Sequence, residues 1–342
     1  MGQGETKMPK RITVDEVHAL AKSILLRHGC SDGHADAVAD TVASAERDHA
    51  HSHGLFRIPG YVDALKSGRV DGDAVPEIKE LTPAIVQVDG KNCFAPLALN
   101  AGKDALVAAA KNIGIAAMPL IRVHHFAALW KETEMFAEEG LIAMAFTAYM
   151  PTVAPAGGSK PLYGTNPMSF AWPRENALPM VFDQASAAMA KGEVMLADRD
   201  GHALPDGVGI TSDGTPTNDP RAVLDGGCIL PFGGYKGASI ALMIELLVGP
   251  LIGETTSPET HRRYGSVSGP PQGGELVIAM DPSKFGAAST WAGDAETLFD
   301  DLHAIDGARL PGARRQSHRE GALETGVDVN DGLMETLEAL AA

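Results

Sequence analysis

Ten consecutive residues, Asp48-His49-Ala50-His51-Ser52-His53-Gly54-Leu55-Phe56-Arg57, set three imidazoles, a hydroxyl and a guanidinium at the junction of two amphipathic helical segments. These groups suit proton transfer on a small anion. The planar donor fork of Arg57 matches a carboxylate, and His53, one helical turn away, titrates near neutrality. Ser52 can fix that ring or carry its proton onward. The same run also reads as a solvated, His-rich helix end, and spacing alone leaves both readings open.

Delivering such groups takes a rigid element. Thr13-Val14-Asp15-Glu16 has the capping hydroxyl and early acids of a helix start, followed by Val17, Leu20, Ala21 and Ile24 at helical spacing until Gly29. Ser31 opens a second helix, with Ala35, Val38, Ala39, Val42 and Ala45 on one side, and its C-terminal end carries the histidines. The helix dipole favours positive charge there and predicts a raised proton affinity for a histidine in the last turn. A third helix from Pro59 to Lys66 makes residues 1–75 a helical lobe. From Ile85 the pattern alternates: a strand at Ile85 to Gly90, a helix at Ala98 to Asn112, a strand at Ile115 to Ile121 and a helix at Ala127 to Glu139. Strands at Leu141 to Ala148, Ser169 to Trp172 and Met180 to Asp183 follow, then a helix at Ala238 to Val248 and a strand at Glu275 to Asp281. This predicts an α/β class with a mixed sheet over 76–285 and a helical C-terminal segment over 286–342. The polar, glycine-rich stretch Glu254 to Gly274 reads as a long loop and candidate lid.

At 342 residues the chain exceeds one ordinary core, so two or more lobes are expected. A net charge of -16 argues against a nucleic-acid partner or an anionic membrane, so an anionic substrate needs a local cationic pocket. Cys30, Cys93 and Cys228 are odd in number and far apart, which supports neither a disulfide framework nor a cysteine zinc site. Met1 to Arg11 is polar and basic, and no apolar run reaches the ~20 residues of a membrane span. A cytoplasmic enzyme is expected.

No G-x-G-x-x-G occurs, which removes the main sequence support for a Rossmann dinucleotide site. Gly233-Gly234-Tyr235-Lys236-Gly237 is not a Walker loop either, though its amides and lysine before a helix fit either an anion cradle or a tight turn. His124-His125-Phe126 follows a strand, and alternation lets at most one of the two rings face a site. Five histidines invite a metal reading, yet no His-Glu-x-x-His occurs and a metal centre is not expected. Asp213 to Pro220 has a calcium-loop look but lacks the closing glutamate, and reads as a turn.

Taken together, six motifs resemble the type 2 malate/L-lactate dehydrogenase family in their order. They are His51-Ser52-His53-Gly54 with Arg57 and Tyr61, His125-Phe126, Pro155-x-Gly157-Gly158, Gly164-Thr165-Asn166-Pro167, Phe182-Asp183-x-Ala185-Ser186, and Leu230 to Gly237. The resemblance runs from about Thr13 to Arg315. Within the family, Phe56 to Tyr61 and His124 to Trp130 look most like the Δ1-piperideine-2-carboxylate/Δ1-pyrroline-2-carboxylate reductases.

The resemblance implies a non-Rossmann NAD(P)-binding fold, a helical lobe built from both terminal segments, and a homodimer. It implies NADPH, with NADH possible, as cofactor for reducing cyclic imino acids: Δ1-piperideine-2-carboxylate to L-pipecolate, Δ1-pyrroline-2-carboxylate to L-proline. The alternative is a malate- or lactate-type 2-hydroxy acid dehydrogenase. By the same resemblance Ser52, His53 and Asp183 form the proton relay, and Arg57 and Thr165 hold substrate. The matching cofactor contacts are His125, Phe126, Ala127, Ala128, Gln184, Ala185, Ser186, Lys236 and the loop Arg309, Leu310, Pro311, Gly312, Ala313, Arg314, Arg315. Paired arginines in that loop suit a 2'-phosphate. The chain departs from the family pattern at Ala185-Ser186-Ala187, in place of Ala-Thr-Ser, and at Pro155-Ala156, in place of Pro-Trp. Both changes bear on pocket shape.

Overall fold

Thr13 starts the first long helix by reciprocal capping: Glu16 N–H donates to its hydroxyl at 3.2 Å, and its own N–H donates to Glu16 Oε2 at 2.7 Å. The computed structural model describes residues 10–126, 128–265, 269–286 and 289–342. In chain order a short strand β1 (Lys10–Ile12) precedes α1 (Val14–Arg27), α2 (Asp32–Arg47), two single 3-10 turns (His51–His53 and Leu55–Arg57) and α3 (Ile58–Lys66). Next come β2 (Glu77–Thr82), β3 (Ile85–Phe94), α4 (Ala95–Ile113), β4 (Ile115–His124), α5 (Leu129–Ala137), β5 (Ile142–Thr147), β6 (Met168–Trp172) and β7 (Met180–Gln184). The chain continues through α6 (Lys191–Asp200), β8 (Gly209–Ile210), β9 (Pro216–Thr217), α7 (Pro220–Leu224), β10 (Cys228–Ile229), α8 (Tyr235–Val248) and α9 (Ser257–Tyr264). It ends with β11 (Gln272–Met280), α10 (Trp291–His303), α11 (Ala313–Thr325), β12 (Val327–Val329) and α12 (Asp331–Ala341).

A mixed sheet forms the centre, in the order β2-β3-β4-β11-β5-β6-β7. Only β3 and β4 run parallel, joined by the crossover helix α4; the other neighbours are antiparallel. Val88, Leu106, Met118, Leu120, Phe136 and Val277 are buried between this sheet and its helices. A second core joins the two ends of the chain, with Ile24, Val38, Leu55 and Tyr61 packed against Ala322, Val327, Met334 and Leu337.

Several elements depart from the sequence reading, each for a physical reason. The strands β8, β9 and β10 form a small separate sheet, and two residues apiece show no period. In α11 only Ala322 is buried, so no apolar stripe announces the helix. The expected lid at 254–274 contains α9, which is tied down: Ser257 N–H donates to Glu245 Oε2 at 2.8 Å and its hydroxyl donates to Glu245 Oε1 at 2.5 Å. Residues 266–268 of that stretch, and Ala127 at the expected start of α5, lie outside the described residues.

The return of α11 is fastened by charge. Arg319 donates to Asp48 at 2.6 and 3.0 Å and to Glu134 at 2.8 Å, linking α11, the end of α2 and α5. Asp48 also accepts from Arg47 at 2.7 Å and from the Trp130 indole at 3.0 Å. Burial pulls its carboxyl upward, and bonds from Arg47 and Arg319 more than reverse this, leaving it below its ordinary value. Arg319→Ala removes the ion-pair partner of the buried Glu134 and leaves Asp48 with Arg47 and the Trp130 indole alone, and is expected to cost about 3 kcal/mol in chemical denaturation. A loss under ~1 kcal/mol would reduce the link to a surface pair. Because the folded carboxyl is depressed, this contribution is full above the ordinary carboxylate range and fades as pH falls through the folded value.

Candidate active site

The chain leaves α2 through His49, in a left-handed conformation (φ 57°), and turns sharply into the two 3-10 turns. Glu46, buried on the last turn of α2, sets their shape. Leu55 N–H donates to its Oε1 at 2.7 Å, and His51 Nδ1 meets its Oε2 at 2.5 Å, a bond that raises the His51 pKa. Gly54 must lack a side chain, because a Cβ there would strike the Glu46 carboxylate. The turn places Ser52 Oγ 3.0 Å from His53 Nδ1, and Arg57 Nε donates to Ser52 O at 2.6 Å. Ser52, His53 and Arg57 are thus assembled by local geometry.

His53 and Arg57 then meet His125, Tyr149, Thr165 and Lys191 around a small cavity of about 60 Å³, room for a few waters or one small acid. A Cβ on Gly192 would lie 2.7 Å from an Arg57 nitrogen, so the first turn of α6 admits the guanidinium only because that residue is glycine. Arg57 sits 4.7 Å above the Phe126 ring centroid, and Lys191 lies 5.7 Å from that of Tyr149. Among the described residues, no carboxylate lies within ion-pair distance of either cation. Burial, with Arg57 adding repulsion, pushes the Lys191 ammonium down. Burial also pushes His53 down to about 3, helped by Arg57 and His125. This corrects the expectation of an ordinary or dipole-raised histidine: near neutral pH burial keeps His53 uncharged.

His53 and Ala190 also border a larger cleft of about 930 Å³. Asp183, Gln184, Ala185, Ala128, Arg309, Pro311, Gly312, Arg314 and Arg315, residues the family resemblance implies for the relay and the cofactor, line it together. Arg315 stacks 4.7 Å over Trp130. Asp183 accepts from Trp130 N–H at 3.1 Å at the start of α5, a capping position, and among the described residues it has no hydrogen bond to Ser52 or His53. Ser186 is buried with its hydroxyl donating to Asn166 O at 2.6 Å, so it braces the loop from behind. Phe126 borders the small cavity instead of the cleft. Leu310 is buried, and neither it, Ala313 nor the exposed Lys236 lines either cavity. Of the histidine pair, His125 faces the small cavity and His124 turns away to Pro270 O at 3.2 Å, as strand alternation requires.

Sequence reasoning missed Lys191, Tyr149, Glu193 and Trp130, which line these cavities from α6, the loop after β5, and α5. No spacing marks them. The only local cue is Ala190-Lys191-Gly192, a cation beside a glycine just before a helix.

A small cationic pocket opening beside an ionisable imidazole onto a dinucleotide-sized cleft defines a site for a small acid and a large cofactor on an α/β frame. The family model for malate/L-lactate dehydrogenase matches residues 12–338, and the chain belongs to that family. It is 45% identical over 334 residues to a Δ1-pyrroline-2-carboxylate reductase of Ancylobacter novellus, covering 97% of this chain and 98% of that protein. It is 43% identical to a Δ1-pyrroline-2-carboxylate/Δ1-piperideine-2-carboxylate reductase of Pseudomonas putida, covering 99% of each chain. The crystal structure of the Δ1-piperideine-2-carboxylate reductase from Pseudomonas syringae superposes with a TM-score of 0.92 at 42% identity, over 97% of this chain and 99% of that one.

Proposed function

We propose that the protein is an NADPH-dependent reductase of cyclic imino acids, converting Δ1-piperideine-2-carboxylate to L-pipecolate and Δ1-pyrroline-2-carboxylate to L-proline. One observation carries the reading: two cations without a carboxylate of their own, Arg57 and Lys191, in a pocket that opens past His53 into the larger cleft. An unpaired, desolvated cation is costly, and a substrate carboxylate removes that cost. The relatives' names supply the C=N class.

Bound NADPH would supply the hydride for C2 of the imine. Arg57 and Thr165 hold the carboxylate, and the incoming negative charge opposes the Arg57 repulsion, which after burial is the next cause of the low proton affinity of His53, so the ring takes up a proton more readily with substrate bound. His53 then gives it to the ring nitrogen while Ser52 fixes the imidazole. Asp183, at the head of α5, completes the relay through the bound reactants rather than by direct contact. The cofactor is held in a non-Rossmann manner, with 1–75 and 286–342 acting as one helical lobe beside 76–285. The exposed face of α8, with Tyr235, Leu242, Met243 and Leu246, is the surface for a second copy in a homodimer, and sedimentation as a monomer would remove that element. The enzyme is read as cytoplasmic, consistent with free, buried Cys30, Cys93 and Cys228.

Oxidation of NADPH against a panel of cyclic imines and 2-oxo acids tests the reading, which fails if the imines are not turned over. Cofactor choice is assigned to Arg309 and Arg314, both exposed in the cleft. Arg309→Ala with Arg314→Ala is expected to raise the KM for NADPH about tenfold or more, the worth of a charge-assisted hydrogen bond, and to spare the KM for NADH. Equal effects on both cofactors would dismiss the 2'-phosphate role.

A further inference from the structure

Behind the small cavity lies a group of polar side chains that the mechanism above does not use. Glu275 sits in β11, the middle strand of the sheet, paired across to Leu120 and Thr147. It is wholly buried, and neither of its carboxyl oxygens has a hydrogen-bond partner. Glu132, buried on α5, faces it: Oε2 is likewise unpartnered, while Oε1 lies 2.9 Å from His125 Nε2. Glu275 Oε2 is 3.5 Å from the same nitrogen. Three of these four oxygens therefore have no donor from the rest of the described protein, and two adjacent buried carboxylates repel. Both carboxyls are raised, Glu132 by burial to about 7 and Glu275 well above its ordinary value by burial and by Glu132.

The arrangement has one assignment that supplies most of the missing donors. A single proton on Glu275 is donated to Glu132 Oε2, and the ionised Glu132 accepts the Nε2–H of His125 through Oε1. Nε2 is thereby fixed as the protonated nitrogen, and the other ring nitrogen, Nδ1, keeps a lone pair on a ring that borders the small cavity. The nearby charges leave this intact. Asp183, from β7, acts on both His125 and Glu132 with negative charge, Lys131 opposes it from α5, and the Tyr61 hydroxyl of α3 stays neutral.

We propose that the Glu275–Glu132–His125 chain makes the cavity selective for an imine over a ketone, by presenting a hydrogen-bond acceptor backed by one negative charge to the substrate's reacting atom. Once His53 has protonated the ring nitrogen, the single N–H is shared with this acceptor, whose negative backing favours the cationic iminium. A 2-oxo acid offers an oxygen there, with no proton to donate, and meets a lone pair. His125 is then the residue that touches substrate, and Glu132 and Glu275 position its proton. This rests on the imine reductase reading but makes a separate claim about the choice between C=N and C=O.

The test is the ratio of kcat/KM for Δ1-pyrroline-2-carboxylate to that for pyruvate, with NADPH, in the wild type and two isosteric variants. In Glu132→Gln the amide NH₂ can donate to Nε2, which moves the ring proton to Nδ1 and turns the acceptor into a donor. The ratio is expected to fall by about ten- to a hundredfold, the effect of losing one hydrogen bond to a charged group. In Glu275→Gln the amide still donates to Glu132 Oε2, so the imine preference persists even where absolute rates drop. NADPH fluorescence and thermal melting report whether each variant is folded and binds cofactor. An equal loss on both substrates in Glu132→Gln, which a merely structural role predicts, overturns the proposal and spares the function. Collapse of the ratio in Glu275→Gln overturns the proton assignment, and so does one equivalent of divalent metal retained by the wild type and lost from Glu132→Gln. A wild type that reduces no cyclic imine overturns both readings. Should Glu132→Gln not fold, the Glu275→Gln ratio alone decides.

Discussion

His53→Ala is expected to lower kcat for the imine by about 10²–10⁴-fold, the usual worth of a positioned general acid, and to leave NADPH binding intact. The binding clause follows from geometry. His53 stands at the mouth shared by the small cavity and the cleft, whereas the arginines available to the cofactor phosphates lie along the cleft wall on and before α11. The pH dependence distinguishes this role from a generic one. In the free enzyme His53 is pushed down to about 3 by burial, Arg57 and His125, so kcat/KM should climb toward acid pH without a plateau near the ordinary histidine value. With the carboxylate bound against Arg57 that share of the depression is opposed while burial, the larger cause, remains, so the limb in kcat, lost as pH rises, should appear at modestly higher pH than the limb in kcat/KM. Unchanged turnover in His53→Ala, measured under saturating NADPH, would remove the histidine from the proton path.

Parts of this site were legible in the sequence because the chemistry was contiguous. Ser52, His53 and Arg57 lie within six residues, and one buried carboxylate, Glu46, folds them into contact. The opening helices and the sheet strands also followed their periods, because each buries one face. What stayed hidden came from distant chain segments or from residues whose role depends on having no partner. Lys191 is an ordinary lysine in the sequence and an uncompensated cation only in the folded pocket. Glu275 stands at the head of the apolar run Leu276-Val277-Ile278-Ala279, where nothing local signals that α5 will bring a second carboxyl to it. Within the helical segment expected over 286–342, nothing marked the bounds of the polar helix α11 for a related reason: Arg319 fastens it through charge rather than an apolar stripe.

Arg57→Met is expected to separate binding from stability in opposite directions. Arg57 spends one donor, Nε, on Ser52 O at 2.6 Å and stacks its plane 4.7 Å over Phe126, which fixes the fork with no carboxylate to neutralise it. Holding a partly desolvated cation in that state costs folding free energy, and methionine keeps much of the apolar volume while removing the charge. The thermal midpoint should therefore hold or rise, in contrast to the loss expected for Arg319→Ala, where the arginine already has its anions. Substrate binding pays the difference. Hydrogen bonds to a charged group contribute about 1.5–3 kcal/mol, so the KM for the imine should rise by roughly ten- to a hundredfold. Arg57→Lys should recover only part of this, because a point charge lacks the two-pronged match to a carboxylate. A drop in thermal midpoint comparable to that of Arg319→Ala, with KM unchanged, would mean that Arg57 braces the turn at Ser52 and leaves the substrate to Lys191.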